Sequence, residues 1–209
     1  YIYSLIFILA EVLVFFSGER TAFFFINFSA LIIISLIKNF KKLRLFTLLI
    51  SISIMIIITF FESGPKSRII DKTLNQTYND KGELLIFSKH HTHLYKSSFN
   101  IFKDNVMFGV GPKNYKFVCK NLKYEINPQS CSNHPHNTYL QLLSETGIIG
   151  FISIFTLFLY LIYKCLIHFY LQFLNKKIFS DFEVCLIAAI IISIWPIIPT
   201  GDFFNNWLS

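Results

Sequence analysis

His134 and His136 stand one residue apart in the run His134-Pro135-His136-Asn137-Thr138-Tyr139-Leu140-Gln141, and Glu145, Gly147 and Gly150 follow close behind. An imidazole has the side-chain pKa closest to neutrality, so it can take a proton from a hydroxyl nucleophile. His136 is read as that base, with His134 as its support or as a substrate contact. Both also fit imidazoles bonded to backbone at a helix entrance, because Asn137 is well suited to cap a helix that starts there.

Arg20 offers the complementary group. A guanidinium is always charged and grips phosphate oxygens with two parallel N–H donors. Arg20 sits in Ser17-Gly18-Glu19-Arg20-Thr21-Ala22, where an apolar run begins. It also fits a snorkelling interfacial cation or a partner for Glu19. An arginine at a membrane boundary is costly without a role, which favours the functional reading.

His90, His91 and His93 add further imidazoles, but the H-H-x-H and H-x-H spacings do not make a recognised zinc framework, so neither metal nor cofactor is expected. Cys119 and Cys131 are twelve residues apart in a polar segment. A disulfide there suits an oxidising compartment and would contribute about 3 kcal/mol by closing a short loop. Cys165 and Cys185 lie in apolar runs and read as small apolar residues.

These residues need a scaffold, and the composition says of what kind. The chain has 209 residues, 54% hydrophobic and 15% charged, with 25 Phe and a mean hydropathy of +0.54. That is too apolar for an ordinary soluble domain. Five apolar stretches run from Tyr1 to Phe16, Thr21 to Ile37, Leu45 to Phe61, Ile148 to about Leu171, and Phe182 to Pro199. Crossing a bilayer takes about 17 to 20 apolar residues. By that measure four stretches qualify and the first is clipped. Opening at Tyr1 inside an apolar run and stopping at Ser209, the chain reads as a fragment of a longer one.

Lys38, Lys41, Lys42 and Arg44 crowd the link after the second stretch, and Lys164, Lys176 and Lys177 flank the link before the fifth. The positive-inside rule places both links in the cytoplasm. Alternation then puts residues 17–20, the segment 62–146 and the tail 201–206 on the other side, the periplasm of a Gram-negative cell. The formal charge is +7, and 11 of the 19 Lys and Arg lie in segment 62–146 against seven acids. So modest an excess suits anionic head groups or a diphosphate rather than nucleic acid, for which no motif is present. Glu11 is placed facing the bundle interior near the outer mouth, where it either serves the site or makes a structural hydrogen bond.

Within segment 62–146, Gly64-Pro65 and Asn79-Asp80-Lys81-Gly82 signal turns in a loosely ordered stretch reaching about Lys89. Leu94, Phe99, Phe102 and Val106 recur at helical spacing and predict an amphipathic helix, ended by Gly109-Val110-Gly111-Pro112. A second helix begins after Asn137, with Leu140, Leu143 and Ile148 on one side. Gly147 and Gly150 ease its passage into the fourth span. The organisation expected is three transmembrane helices over 1–61, the segment 62–146, and two transmembrane helices with a tail over 147–209.

Three blocks carry a family resemblance. The His134-to-Gly150 run resembles the HxHN-type signature of the O-antigen ligase/polymerase-related family. Ser17-to-Ala22 resembles that family's Gly-x-Arg-(Ser/Thr) element, and Phe108-Gly109-Val110-Gly111-Pro112 resembles its FGVGP-type turn. The resemblance covers residues 17 to about 38 and 94 to 150, and the Ile197-to-Leu208 tail less closely. It implies an all-α integral membrane fold, a multi-pass bundle of glycosyltransferase C-like type with a large, mostly helical periplasmic segment, in the bacterial inner membrane.

The implied activity moves glycan from an undecaprenyl diphosphate carrier either to lipid A core, as a ligase, or to another carrier-linked repeat unit, as a polymerase, without metal. Partners are then the lipid-linked donor, one of those acceptors and membrane lipids. His136, His134 and Arg20 are the catalytic candidates. Where many members carry an arginine ahead of the amphipathic helix, this chain has His91, and Arg68 upstream is the alternative second cation. His91, Arg68, Asn137, Glu145, Gly109 and Gly111 are the substrate-binding candidates, Glu145 either orienting a histidine, binding sugar or remaining a solvated helix acid. A transporter of lipid-linked sugars or a non-catalytic membrane scaffold are the alternatives.

Overall fold

The computed structural model describes residues 1–78, 84–128 and 130–205. The turn expected at 79–82 and the end of the tail beyond residue 205 lie outside the described residues. Among the described residues the chain is helical without strands, with one isolated bridge between Tyr78 and Leu84. The helices are α1 (Ile2–Ser17), α2 (Arg20–Leu36), α3 (Lys41–Phe61), α4 (Ser63–Lys66), α5 (Lys72–Thr77), α6 (Lys89–Asp104), α7 (Tyr115–Val118), α8 (Thr138–Phe173) and α9 (Asp181–Ser193).

Two helices, α3 with 21 residues and α8 with 36, are long and apolar enough to cross a membrane. That is fewer than the four expected. α1 and α2 stop at 16 and 17 residues because the chain turns at Gly18, left-handed at φ 72°, and leaves helical geometry at Ile37. α9 ends at Ser193, short of the Pro199 expected, since Pro196 disfavours helical backbone in the residue before it.

The chain divides into two compact units. The first holds residues 1–75 and 161–192. Here Phe15 of α1 packs with Met55 of α3 and Ile69, and Ala30 and Ile34 of α2 pack on Leu48 of α3. Glu11 is wholly buried, yet neither carboxylate oxygen is hydrogen-bonded. At the other end of α2, the Leu36 carbonyl accepts from Gln172 and lies 3.0 Å from His168 Nε2, while His168 Nδ1 accepts from the Ile178 and Phe179 amides. Both ring nitrogens are thereby tied to backbone. Asn39 Nδ2 donates to Asp181 at 2.8 Å and Lys38 Nζ to Asn175 at 3.1 Å, so the two lysine-rich links are tied to each other.

As far as Thr77 the stretch after α3 is helix rather than loose chain. Pro65 falls in the first turn of α4, where its missing N–H is not needed, and a π-helical turn at Ser67–Asp71 leads on into α5.

The second unit holds residues 76–160 and 193–209. α6 begins at Lys89, capped by Ser88, so its first two turns carry His90, His91 and His93. Its buried face is Leu94, Tyr95, Ser97, Ser98 and Ile101, not the stripe expected: Phe99 and Val106 are exposed. The reason is close packing. Ser98 Oγ donates to the Leu140 carbonyl at 2.8 Å and lies 3.1 Å from Ser144 Oγ, a backbone approach that a large side chain would prevent. α8 likewise buries Gln141, Leu142, Ser144 and Glu145, while Leu140, Leu143 and Ile148 are only half-buried.

Cys119 and Cys131 form a disulfide in a small core with Ile101, Tyr115 and Tyr124. Replacing both cysteines by serine is expected to lower unfolding stability by about 3 kcal/mol through the freed unfolded chain. Denaturant titration of the purified protein, oxidised against reduced, measures it, and coincident curves would remove the disulfide from the stability of this unit.

Candidate functional site

The histidine cluster is assembled in the second unit from two places in the chain. Asn137 Oδ1 accepts from the Tyr139 and Leu140 amides at 3.1 and 3.0 Å, capping α8, and its Nδ2 donates to the Pro196 carbonyl at 2.8 Å. The Asn137 side chain thus both caps α8 and ties its start to the Pro196 carbonyl. His136 just before it adopts a left-handed φ of 56°. This sparsely populated conformation is held by the Thr200 amide, which donates to the His136 carbonyl at 3.0 Å.

The His134 ring lies 4.1 Å from that of His136, and the His91 ring 5.9 Å from it on the other side. His91 is itself aligned by Ser88, whose Oγ lies 2.7 Å from Nδ1. His93 turns elsewhere, to Asn127. Burial first, and then the neighbouring His134, His91 and His90, lower the His136 pKa from 6.5 to about 4. A neutral, proton-accepting imidazole is thus the resting form at physiological pH.

Two buried polar atoms in this cluster have no hydrogen-bond partner: His134 Nε2 and the Tyr95 hydroxyl. Tyr95 lies beside the Asn137 side chain, and its ring is 6.0 Å from His91. Burial pushes the Tyr95 hydroxyl up to about 12, so it is a hydrogen-bonding group rather than a base. Buried polar atoms left unpaired are costly, which marks this cluster as a place that a polar ligand would complete. Sequence reasoning missed Tyr95. Its position one helical turn after His91 was the available signal.

Glu145 sits elsewhere in the unit. It is wholly buried, its carboxylate accepting from the Tyr115 amide at 2.8 Å and Gln141 Nε2 at 3.0 Å. It is not a solvated helix acid, one of the roles expected of it, and its hydrogen-bond partners are Tyr115 and Gln141 rather than a histidine. Burial, with the Glu145 carboxylate second, pushes up the pKa of the Tyr115 hydroxyl, which donates to the Ser130 carbonyl at 2.9 Å.

Gly109 and Gly111 belong to the same construction. The Val110 and Gly111 amides donate to the Ser144 and Glu145 carbonyls, both at 2.9 Å, and the Ile148 amide donates to Val106 at 2.8 Å. These bonds serve backbone groups freed where α8 kinks at Gly147 (φ 66°, ψ −163°). A Cβ on Gly109 would lie 2.4 Å from the Glu145 carbonyl carbon, and one on Gly147 would lie 2.3 Å from the Met107 oxygen. The absence of a side chain at Gly109 and Gly147 is what lets these backbone segments pack together.

Arg20 and Arg68 lie in the first unit. Arg20 opens α2, and Arg68 reaches the turn just ahead of it: its side chain packs under Gly18, and Nη1 donates to the Ser17 carbonyl at 3.4 Å. Among the described residues no group of three or more His, Cys, Asp or Glu is arranged to hold a metal.

The family model for O-antigen ligase matches residues 5–155, well over half of the chain. The chain belongs to the O-antigen ligase family. Members are membrane proteins associated with O-antigen ligase and polymerase activity, which implies lipid-linked glycan and lipopolysaccharide substrates. The matched stretch takes in both arginines, the glycine turn and the histidine run of this O-antigen ligase family chain. No curated protein and no solved structure gives a significant match.

Proposed function

We propose that this protein is a multi-pass inner-membrane glycosyltransferase that moves glycan from an undecaprenyl diphosphate carrier to a hydroxyl of lipid A core or of a carrier-linked repeat unit. The observation that carries the reading is the His91–His136–His134 cluster, in which a neutral His136 stands beside an unpartnered imidazole nitrogen. His136 takes the proton of the acceptor hydroxyl as that oxygen attacks the anomeric carbon. The bond to the carrier's diphosphate breaks, and the departing anion is neutralised by Arg20 and Arg68.

Two permanent cations suit a diphosphate because both of its states in the reaction are anionic and the guanidinium needs no protonation change. The tie between the two lysine-rich links supports one side for both, and the positive-inside rule makes that side cytoplasmic. The chemistry then faces the periplasm.

Arg20→Ala and Arg68→Ala are the direct test. Each removes one cation from a charged leaving group, so transfer should fall by about 10²-fold or more with protein levels unchanged. The glycolipid profile of the complemented deletion strain reads it. Unligated long polymer on the carrier identifies a ligase and single capped repeats a polymerase. Full surface polysaccharide in both variants would remove the arginines from the mechanism.

A further inference from the structure

Immediately ahead of His134 the chain forms one wall of an open groove of about 460 Å³, lined by Lys116, Phe117, Lys120, Ser132 and Asn133 beside the Cys119–Cys131 disulfide. We propose that this groove is a subsite for an anionic sugar, carboxylated or phosphorylated, of the acceptor glycan. The proposal rests on the transferase reading above.

Its volume falls within the roughly 300–1,000 Å³ of small-ligand clefts. Its chemistry is selective. Lys116 on α7 and Lys120, two residues past its end, both line the groove, so two ammonium groups serve it. Phe117 is exposed and offers a flat apolar surface to a sugar ring, while Ser132 and Asn133 supply hydroxyl and amide groups that match sugar hydroxyls. No acidic side chain lines the groove among the described residues. Asp104, an acid of the same unit, is taken by Lys123 at 2.8 Å.

Lys116 Nζ rests over the Phe117 ring, 4.8 Å from its centroid. An exposed contact of that kind contributes little, so an anion can draw the ammonium away and uncover the ring. The groove belongs to the acceptor because the peptide runs from its wall, Ser132-Asn133, straight into His134, whose Nε2 lacks a partner and whose ring lies against His136. A sugar seated there brings its neighbour to the proposed base. The diphosphate needs no place in the groove, being assigned to the arginines.

The probe is trigalacturonate, with its methyl ester as the uncharged counterpart and a hexose phosphate as the phosphorylated arm, measured by saturation-transfer NMR on the whole protein in nanodiscs. Trigalacturonate or the hexose phosphate should bind at least about fivefold tighter than the ester, and added salt should close that gap. Lys116→Gln with Lys120→Gln should bring the acids down to the level of the ester. Phe117→Ala should weaken the acids and the ester alike.

Equal binding of acid and ester, or full affinity in the double lysine variant with its disulfide intact, overturns the subsite. If that happens while Arg20→Ala and His136→Ala still abolish transfer, the transferase reading stands without it. If acid-selective binding holds while those two variants transfer normally, the transferase reading falls and the acceptor assignment with it.

Discussion

Replacing His136 by Ala is expected to lower glycan transfer by about 10²–10⁴-fold, the usual contribution of a positioned general base, with normal protein accumulation. His136→Gln should be equally inactive, since an amide keeps hydrogen bonding but accepts no proton at working pH. The pH profile separates a base from a merely structural imidazole. Because its pKa is lowered to about 4, His136 stays neutral well below the ordinary 6.5, and kcat/KM should show its acid limb near pH 4. His134→Gln removes one of the charges that hold this value down, so the limb should move upward, though only in part, because burial is the larger cause.

The same shift sets the sign of the stability effect. Between about 4 and 6.5 the unfolded chain binds a proton that folded His136 refuses. His136 therefore costs no stability above 6.5, and its cost grows as pH falls toward 4. Thermal melts of the parent protein should drop across that window, and those of His136→Gln should drop less. A profile whose acid limb is the same in His134→Gln, or that keeps its limb in His136→Gln, would assign the proton to another group.

What was legible in the sequence depended on how locally the physics acts. The helix start at Asn137 could be read because an amide side chain capping the next two or three N–H groups is a short-range device. The apolar runs of α3 and α8 were equally plain, since composition alone declares them. The buried faces of α6 and of the first turns of α8 were not legible from hydropathy. There the packing relies on Ser97, Ser98, Ser144 and Gln141, whose small size or hydrogen bonding matters only once the partner helix is in place.

Glu145 shows the same limit at the level of function. A lone acid near two histidines has the composition of a catalytic pair, but its partners are the Tyr115 amide and Gln141, which nothing in the spacing announces. The hydropathy runs outlast the helices for a related reason. A hydropathy run extends through residues that sharp turns take out of the helix, as at Ile37 and in the prolines after Ser193. The reach of His91 to His136 across the unit was visible only as an unexplained substitution at one position of a family pattern.

Gly147→Ala and Gly109→Ala should each prevent stable accumulation of the protein, although neither glycine is placed at the histidine cluster. At both positions φ is positive, 66° and 63°, which alone costs an L-residue about 1–2 kcal/mol. The added methyl also meets backbone: the Met107 oxygen at 2.3 Å from Gly147, and the Glu145 carbonyl carbon at 2.4 Å from Gly109. Backbone cannot rotate away as a side chain can, so relief requires the Phe108–Pro112 segment to leave the kink of α8. That would release the amides of Val110 and Gly111 from the Ser144 and Glu145 carbonyls and bare buried polar groups, each costing about 1–3 kcal/mol. Together these exceed about 5 kcal/mol, comparable with the whole stability of many domains.

Two further glycines calibrate the effect. A Cβ on Gly150 meets the Thr146 side chain, Cβ included at 2.6 Å, rather than the backbone of another segment, and one on Gly64 meets nothing within 4 Å. Immunoblots of membranes should therefore rank Gly64→Ala near the parent, Gly150→Ala below it, and the two kink variants at background. Parent-like levels and melting of Gly147→Ala would mean that the backbone interlock does not hold this unit together.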